Sequence, residues 1–567
     1  MRRLCRTTFL LLLAAGAAAG QQNTVPAGQS FQISGRVVNA IGGDTLGQTE
    51  VTIAPASSPN ATQSMLTGGD GQFRFENLAA GKYSLMAERR GFRRQFYEEH
   101  EGAFSTAIAV GPALESTGLI FRLRPDGAIS GIVTDENGEP VRNAHVMLFH
   151  SGSENGHQST HISAQTSTDD RGYYLFAHLM PGKFFVAVSA HPWYAQFVQQ
   201  RGFKGRRDGP EAGRESQGDD KDPNSSLNVA YPITYNNNAT DSSAATPISL
   251  DAGARVSANI ALTAVPGFSL RVRQAGTDPS QPVSAELKQI LFDGFEAPVM
   301  TGGGRGWGNG DVEISGIPPG HFVMSLRSFI ANAAPSTRQR EVDISNNAEV
   351  DAAEGSSSVS VSGMVSFEGD PPPQLVVGLT NPKLSQARFG SAISANGQVD
   401  YPPLPAGVYE VFLPNSQGWF LKTLSATGAK VRGRSIEIGS SETVQLALVL
   451  SKGVGRIDGV VVREDKPQAG AMVVLIPQDP EHYGPLFRRD QSDSDGTFTL
   501  GSVVPGKYTV LAIENGWDLE WTKLEAVRPY LSRGESIRVE PNGKYQVKVK
   551  AQSLNTEPKD RKPQPNR

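Results

Sequence analysis

The residues of this chain that could do chemistry include nine histidines, one cysteine and 57 acidic side chains. No histidine opens a His-x-x-Glu pair and no His-Glu-x-x-His occurs, so a zinc peptidase centre has no ligands to build on. His157 and His161 are four apart, but their segment reads as a loop between strands rather than a helix with a shared face. Asp493-Ser494-Asp495-Gly496 looks like part of a calcium loop. An EF-hand register puts Gln491 at position one and Ser502 at position twelve, and neither offers a carboxylate. Gly302 to Gly306 are not followed by a helical segment and so make no phosphate cradle. Glu98/Glu99 and Asp219/Asp220 are adjacent acids in polar stretches, with nothing that marks a glycosidase acid and base. The sole cysteine, Cys5, lies in an N-terminal leader, so thiolate chemistry and disulfides are excluded from the mature chain. The expectation is a protein that is not an enzyme, with no catalytic residue, no metal and no cofactor.

Aromatic residues give a better functional lead. Phe92, Trp193, Trp419 and Trp517 lie eleven, eleven, twelve and eleven residues past Gly81, Gly182, Gly407 and Gly506. Tyr194 and Phe420 follow directly on two of them. Each sits beyond a strand end, next to Gly91, Pro192, Gly418 or Gly516. A flat ring on a loop can stack on the C–H face of a sugar, so these six are the candidate ligand-binding residues. The other reading is that a position recurring in four units plugs the end of each unit. Trp307 and Trp521 are out of phase with it.

The elements that carry these rings repeat. Two glycines stand ten residues apart five times: Gly71/Gly81, Gly172/Gly182, Gly310/Gly320, Gly397/Gly407 and Gly496/Gly506. Two residues after each first glycine comes Phe73, Tyr174, Val312, Val399 or Phe498, and two further on Phe75, Phe176, Ile314, Tyr401 or Leu500. Offset seven holds Leu78, Leu179, Ile317, Leu404 or Val503, and offset twelve Tyr83, Phe184, Phe322, Tyr409 or Tyr508. One structural unit is used five times. Apolar and polar residues alternate around the signature, as in Phe73-Arg74-Phe75, which is the period of a half-buried strand.

An opening strand with a glycine precedes each signature, at Gly35, Gly131, Gly267, Gly363 and Gly459, giving spacings of 96, 136, 96 and 96 residues. The long spacing implies an insertion in the second unit. About seven short strands in such a unit match a small β-sandwich. The expected layout is a signal peptide over 1–20, sandwiches over 30–125, 126–264 (with a loop insertion near 195–241), 265–358, 359–453 and 454–551, and a disordered tail over 552–567. Tyr231 and Tyr235 are expected to dock the end of the insertion back onto its sandwich.

Ser-Gly-x-Val in the opening strand, an Asp shortly before Gly, the alternating aromatic strand and Leu-x-Pro-Gly-x-Tyr together resemble the carboxypeptidase regulatory-like family. The similarity runs through Ile33–Leu85, Ile129–Val186, Val361–Val411 and Ile457–Val510, with the third unit divergent. It implies a transthyretin-like (prealbumin-like) sandwich, also grouped with carbohydrate-binding-like folds, in a non-catalytic module found beside peptidases and outer-membrane transporters. Such a string resembles secreted proteins of soil bacteria. The fold class expected is therefore all-β, a tandem string of about five small transthyretin-like or Ig-like sandwiches.

Arg2, Arg3 and Arg6 ahead of the apolar run Phe9 to Ala19, with small residues before Gln21, read as a secretory leader. The expected location is periplasmic, outer-surface or extracellular. No later stretch reaches the ~18 apolar residues of a membrane span. A net charge of -4 makes nucleic acid a poor partner. The expected partner is a polysaccharide or a cell-envelope protein. Two other roles stay open: a structural or adhesive spacer at the cell surface, and an accessory subunit of a separate peptidase or outer-membrane transporter.

Overall fold

The computed structural model describes residues 30–154, 156–195, 227–273, 283–301, 305–306, 311–328, 336–351, 356–370, 374–381, 388–439, 443–479 and 486–554. The leader, most of the insertion, the tail from 555, Gly302 to Gly304 and Trp307 lie outside the described residues.

The chain is all-β, a succession of five sandwiches, and Leu524–Leu531 is the one α-helix among the described residues. The first sandwich shows the plan. Its opening strand Phe31–Asn39 lies between the signature strand Gln72–Leu78, antiparallel to it, and the closing strand Leu119–Leu123, parallel to it. The facing sheet carries Gln63–Leu66, Glu50–Pro55 and Gly81–Glu88 in that order, with Ile108–Val110 beyond. The inner faces meet in one core that includes Ile33, Val37, Val51, Ile53, Phe73, Phe75, Leu85 and Phe121. The signature strand reads exposed, buried, exposed, buried along Gln72-Phe73-Arg74-Phe75, as its alternation requires.

Glycines make this three-strand layer fit. A Cβ on Gly35 would come closer than 3.0 Å to the carbonyl oxygen of Leu119 on the closing strand and to the Phe73 ring on the signature strand. Gly131 is confined in the same way by Ala258 and Tyr174, and Gly459 by Val547 and Phe498. The missing side chain lets the aromatic ring lie across the opening strand. The first glycine of four of the signatures has a different task. Gly71, Gly172, Gly397 and Gly496 take φ of 70°, 69°, 87° and 76°, the left-handed region that favours glycine. Their carbonyls each accept the N–H of a core valine (Val37, Val133, Val365 or Val461) at 2.8 Å.

The register corrects the sequence reading of the third sandwich. Val312, the equivalent of Phe73, pairs with Val272, and Ile314 with Leu270. The position equivalent to Gly35 is therefore Val272, not Gly267, and the even 96-residue spacing through Gly267 is a coincidence.

Two further differences lie in local structure. The segment after Leu148, read as a variable loop, is a long hairpin of His145–Glu154 and His157–Ser167, with Gly156 at φ 78° in its turn. The Asn155-Gly156 dipeptide is a strong hairpin signal. The fifth sandwich is joined along one side. Its closing strand Lys544–Ser553 pairs with the opening strand Gly455–Arg463 and also with Gly506–Glu514 of the other layer. At the end of the insertion, Tyr231 and Tyr235 are buried in the second sandwich, where Thr234–Tyr235 pairs with Gly182–Ser189.

The sandwiches follow one another in the chain, but the last folds back onto the first. Ser494 donates its backbone N–H to the Ala107 carbonyl at 3.0 Å, and Thr522 Oγ1 donates to the Gly156 carbonyl of the second sandwich at 2.7 Å. Second and third sandwiches share an apolar cluster that includes Met147, Phe149, Tyr235, Leu291 and Phe295.

Candidate binding surfaces and an interdomain clasp

The six candidate rings have four different fates. Trp419 is 2% exposed and edge-on to Phe367, centroids 5.2 Å apart. Phe420 beside it is buried too. Both open the strand Trp419–Thr427, which pairs with the closing strand Thr443–Lys452, and Trp419 lies in the fourth core. Phe92 is half-buried under the Arg89 guanidinium, 5.2 Å from its centroid, and packs on the first core. Trp517 is 7% exposed, in the turn Gly516–Asp518. Buried rings present no face to a ligand, so at Trp419, Phe420 and Trp517 the repeated position is filled by packing. Trp193, by contrast, is 82% exposed.

Trp193 and Tyr194 form an exposed aromatic corner, their rings edge to face at 5.7 Å and 86°. Behind it is a carboxylate held by two phenols. Tyr194 donates to Glu136 Oε1, and Tyr231 donates to Glu136 Oε2 at 3.0 Å. Burial, then the Glu136 hydrogen bond, pushes the Tyr194 phenol up to about 12, and the same causes raise Tyr231. Both phenols stay protonated near neutral pH and keep donating. Glu136 stands in the turn after the opening strand, and only the fold brings it beside Trp193.

Trp517 belongs to a clasp between the first and last sandwiches. Its indole stacks on His100 at 4.5 Å and 7°, with Phe104 at 5.3 Å. Arg489 lies over Phe104 at 4.6 Å and over Trp521 at 4.5 Å, and makes a fork to Glu101 at 2.9 and 2.6 Å. Trp521, out of phase in sequence, thus shares the task of Trp517. Planar guanidinium suits both jobs at once, stacking on rings and gripping a carboxylate.

Polar groups complete the clasp. Gln491 Nε2 donates to the Glu98 carbonyl and to Thr106 Oγ1, both at 2.8 Å. Its Oε1 therefore accepts from His100 Nδ1, 3.0 Å away, so Nδ1 carries a proton. Burial lowers the His100 pKa, and the Gln491 hydrogen bond opposes that shift. Lys82 pairs with Asp493 and donates to Thr497 Oγ1 at 2.6 Å, while Asp493 Oδ1 also accepts the Ala107 N–H at 2.9 Å. Burial raises the Asp493 pKa and Lys82 opposes that shift. The Asp-Ser-Asp-Gly turn is thus used as a docking tooth. Asp495 Oδ1 is occupied by the Thr497 N–H and hydroxyl. Among the described residues no three His, Cys, Asp or Glu side chains are grouped as a metal site would require.

Comparison with known proteins matches the carboxypeptidase regulatory-like domain at residues 32–110 and 128–201. No curated protein matches the chain. Similar solved structures include the TIE protein of Bacillus anthracis, 11% identical with a TM-score of 0.17, covering 93% of this chain and 75% of that one. A streptococcal ancillary pilin is 13% identical with a TM-score of 0.19 over 50% of this chain and 98% of that one. GBS52, the minor pilin of Streptococcus agalactiae, is 16% identical with a TM-score of 0.17 over 37% and 100%. At such scores the overall arrangements do not superpose. The sandwich plan, its glycine-centred opening strand and the two matched spans agree: the first two sandwiches of this chain match the carboxypeptidase regulatory-like domain.

Proposed function

We propose that this is an exported, non-catalytic binding protein that holds polysaccharide at the cell envelope through its sandwich modules, with Trp193 as the principal contact. The observation that carries this reading is the 82% exposure of Trp193 beside Tyr194 and the tethered Glu136. An exposed indole gives an apolar platform for a sugar ring, and a fixed carboxylate accepts its hydroxyls. The charged groups of the clasp are engaged with one another, which favours a scaffolding role for them over a catalytic one.

Affinity electrophoresis through gels containing neutral polysaccharides (cellulose derivatives, xylan, dextran) tests this. Retardation by at least one, lost in Trp193→Ala with an unchanged melting temperature, is the expected result. A folded wild type that no polysaccharide retards overturns it. That result would favour the second reading, a structural or adhesive spacer, which the clasp between first and last sandwiches supports in its own right.

A further inference from the structure

Beside the clasp, a cleft of about 790 Å³ opens between the first and last sandwiches. Its floor is the closing strand of the first sandwich and the residue after it, and its far wall is Ala469, Gly470 and Asn515 of the fifth. Arg122 and Arg124 line it, both exposed. They are two residues apart on extended chain, so their side chains leave the same face about 6.6 Å apart. Neither makes an ion pair or a side-chain hydrogen bond among the described residues.

Two of the three acids on the cleft are engaged. Glu98 Oε2 accepts from Thr106 at 3.1 Å, and Glu99 is held by Arg93 at 3.1 Å and by the Phe96 N–H at 2.7 Å. Glu115, also on the cleft, is left to accept hydroxyls. The two arginines are set in place by a buried side chain. Gln95 Nε2 donates to the Arg122 carbonyl at 3.1 Å, and its Oε1 accepts the Arg124 N–H at 2.9 Å. An otherwise open strand edge is thereby closed where the arginines stand.

We propose that this cleft binds an acidic polysaccharide, with Arg122 and Arg124 as paired anchors for uronate carboxylates. The site is separate from the Trp193 corner and goes beyond that reading. Two free guanidiniums without a matching free pair of acids call for an anionic ligand. Tyr97, Glu115 and Asn515 supply polar partners for hydroxyls. A peptide adding as a strand would need the Arg122 carbonyl and the Arg124 N–H, and Gln95 occupies both.

The test is affinity electrophoresis of the mature chain in gels containing polygalacturonate at low salt, with polyglutamate as the peptide comparison. Polygalacturonate is expected to retard the wild type, and Arg122→Ala/Arg124→Ala to weaken binding by about tenfold or more with an unchanged melting temperature. Trp193→Ala should bind polygalacturonate as the wild type does, which separates this site from the one proposed above. The surface control Lys430→Ala/Lys544→Ala should also bind normally. An unretarded wild type overturns the proposal. So does a double arginine variant that binds as tightly, an equal loss in the lysine control, loss in Trp193→Ala, or polyglutamate that binds as well as polygalacturonate.

Discussion

The indole of Trp517 lies flat on the imidazole of His100, centroids 4.5 Å apart and planes 7° from parallel, although 416 positions separate the two residues. One ring comes from a loop of the first sandwich and the other from a turn of the fifth. The pair therefore ties the beginning of the described chain to its end, and a variant that weakens it reports on closure as well as on the fifth sandwich.

Trp517→Ala should cost about 3–5 kcal/mol in the unfolding of the fifth sandwich, since a large buried ring is removed and its contacts lie on both sides of the clasp. His100→Ala and the double variant complete a cycle, with a coupling of about 0.5–1.5 kcal/mol expected for the stacked pair. Urea unfolding followed by fluorescence measures the energies. Small-angle scattering should show a larger radius of gyration for Trp517→Ala, and an unchanged radius would show that the clasp holds without the ring.

Acid should loosen the clasp. Burial lowers the His100 pKa below its ordinary 6.5, so folding disfavours the charged ring. The stability this group contributes is full above about 6.5 and is lost as pH falls from there through the lower folded value. Arg124 opposes the charge on His100 and Glu98 favours it. Asp493 works in a different window. Its raised pKa means that ionisation costs stability as pH rises from 3.8 to the folded value, and the cost is constant above that. The hydrogen-exchange protection factors of residues 98–107, corrected for the intrinsic pH dependence of exchange, should therefore fall between pH 7 and 5 (values chosen about the ordinary histidine range), and His100→Gln should flatten that dependence.

Glu101→Ala strands the Arg489 guanidinium, whose side chain is 6% exposed, without its carboxylate. Removing one partner of a buried pair costs about 3–5 kcal/mol. Arg489→Lys should destabilise too, because a point charge cannot make the fork to Glu101 and stack on Phe104 and Trp521 together. Thermal unfolding compares the two. A lysine variant as stable as the wild type would mean that charge alone matters here.

Gly131→Ala should destabilise the second sandwich by about 1–3 kcal/mol, the usual range for overpacking, because the added carbon would meet the Ala258 carbonyl and the Tyr174 ring. Gly69→Ala, with nothing within 4 Å of its added carbon, is the control and should be near neutral in chemical denaturation.

Much of the repeat was legible without coordinates because its cues are local. Asp70-Gly71 sets a turn, Phe73 and Phe75 alternate onto one face, and Tyr83 closes the next strand with its hydroxyl on the Ala79 carbonyl at 3.0 Å. The third opening strand was misplaced because its cue is not local. Val272 is identified only by its pairing with Val312, across a register that shifts between Phe268 and Leu270.

The candidate rings show the same division. Spacings of eleven, twelve and eleven residues from a glycine place Trp193, Trp419 and Trp517 at equivalent points of their units, and spacing is a property of the chain alone. Whether each ring meets solvent depends on what arrives from elsewhere. Phe367 packs on Trp419, a loop of the first sandwich covers Trp517, and Trp193 stays open. Periodicity along the chain records which side chains a unit turns inward, because turns and alternation act over a few residues. The clasp joins Lys82 to Asp493 and His100 to Gln491, pairs brought together only by folding, so no short-range pattern could record them.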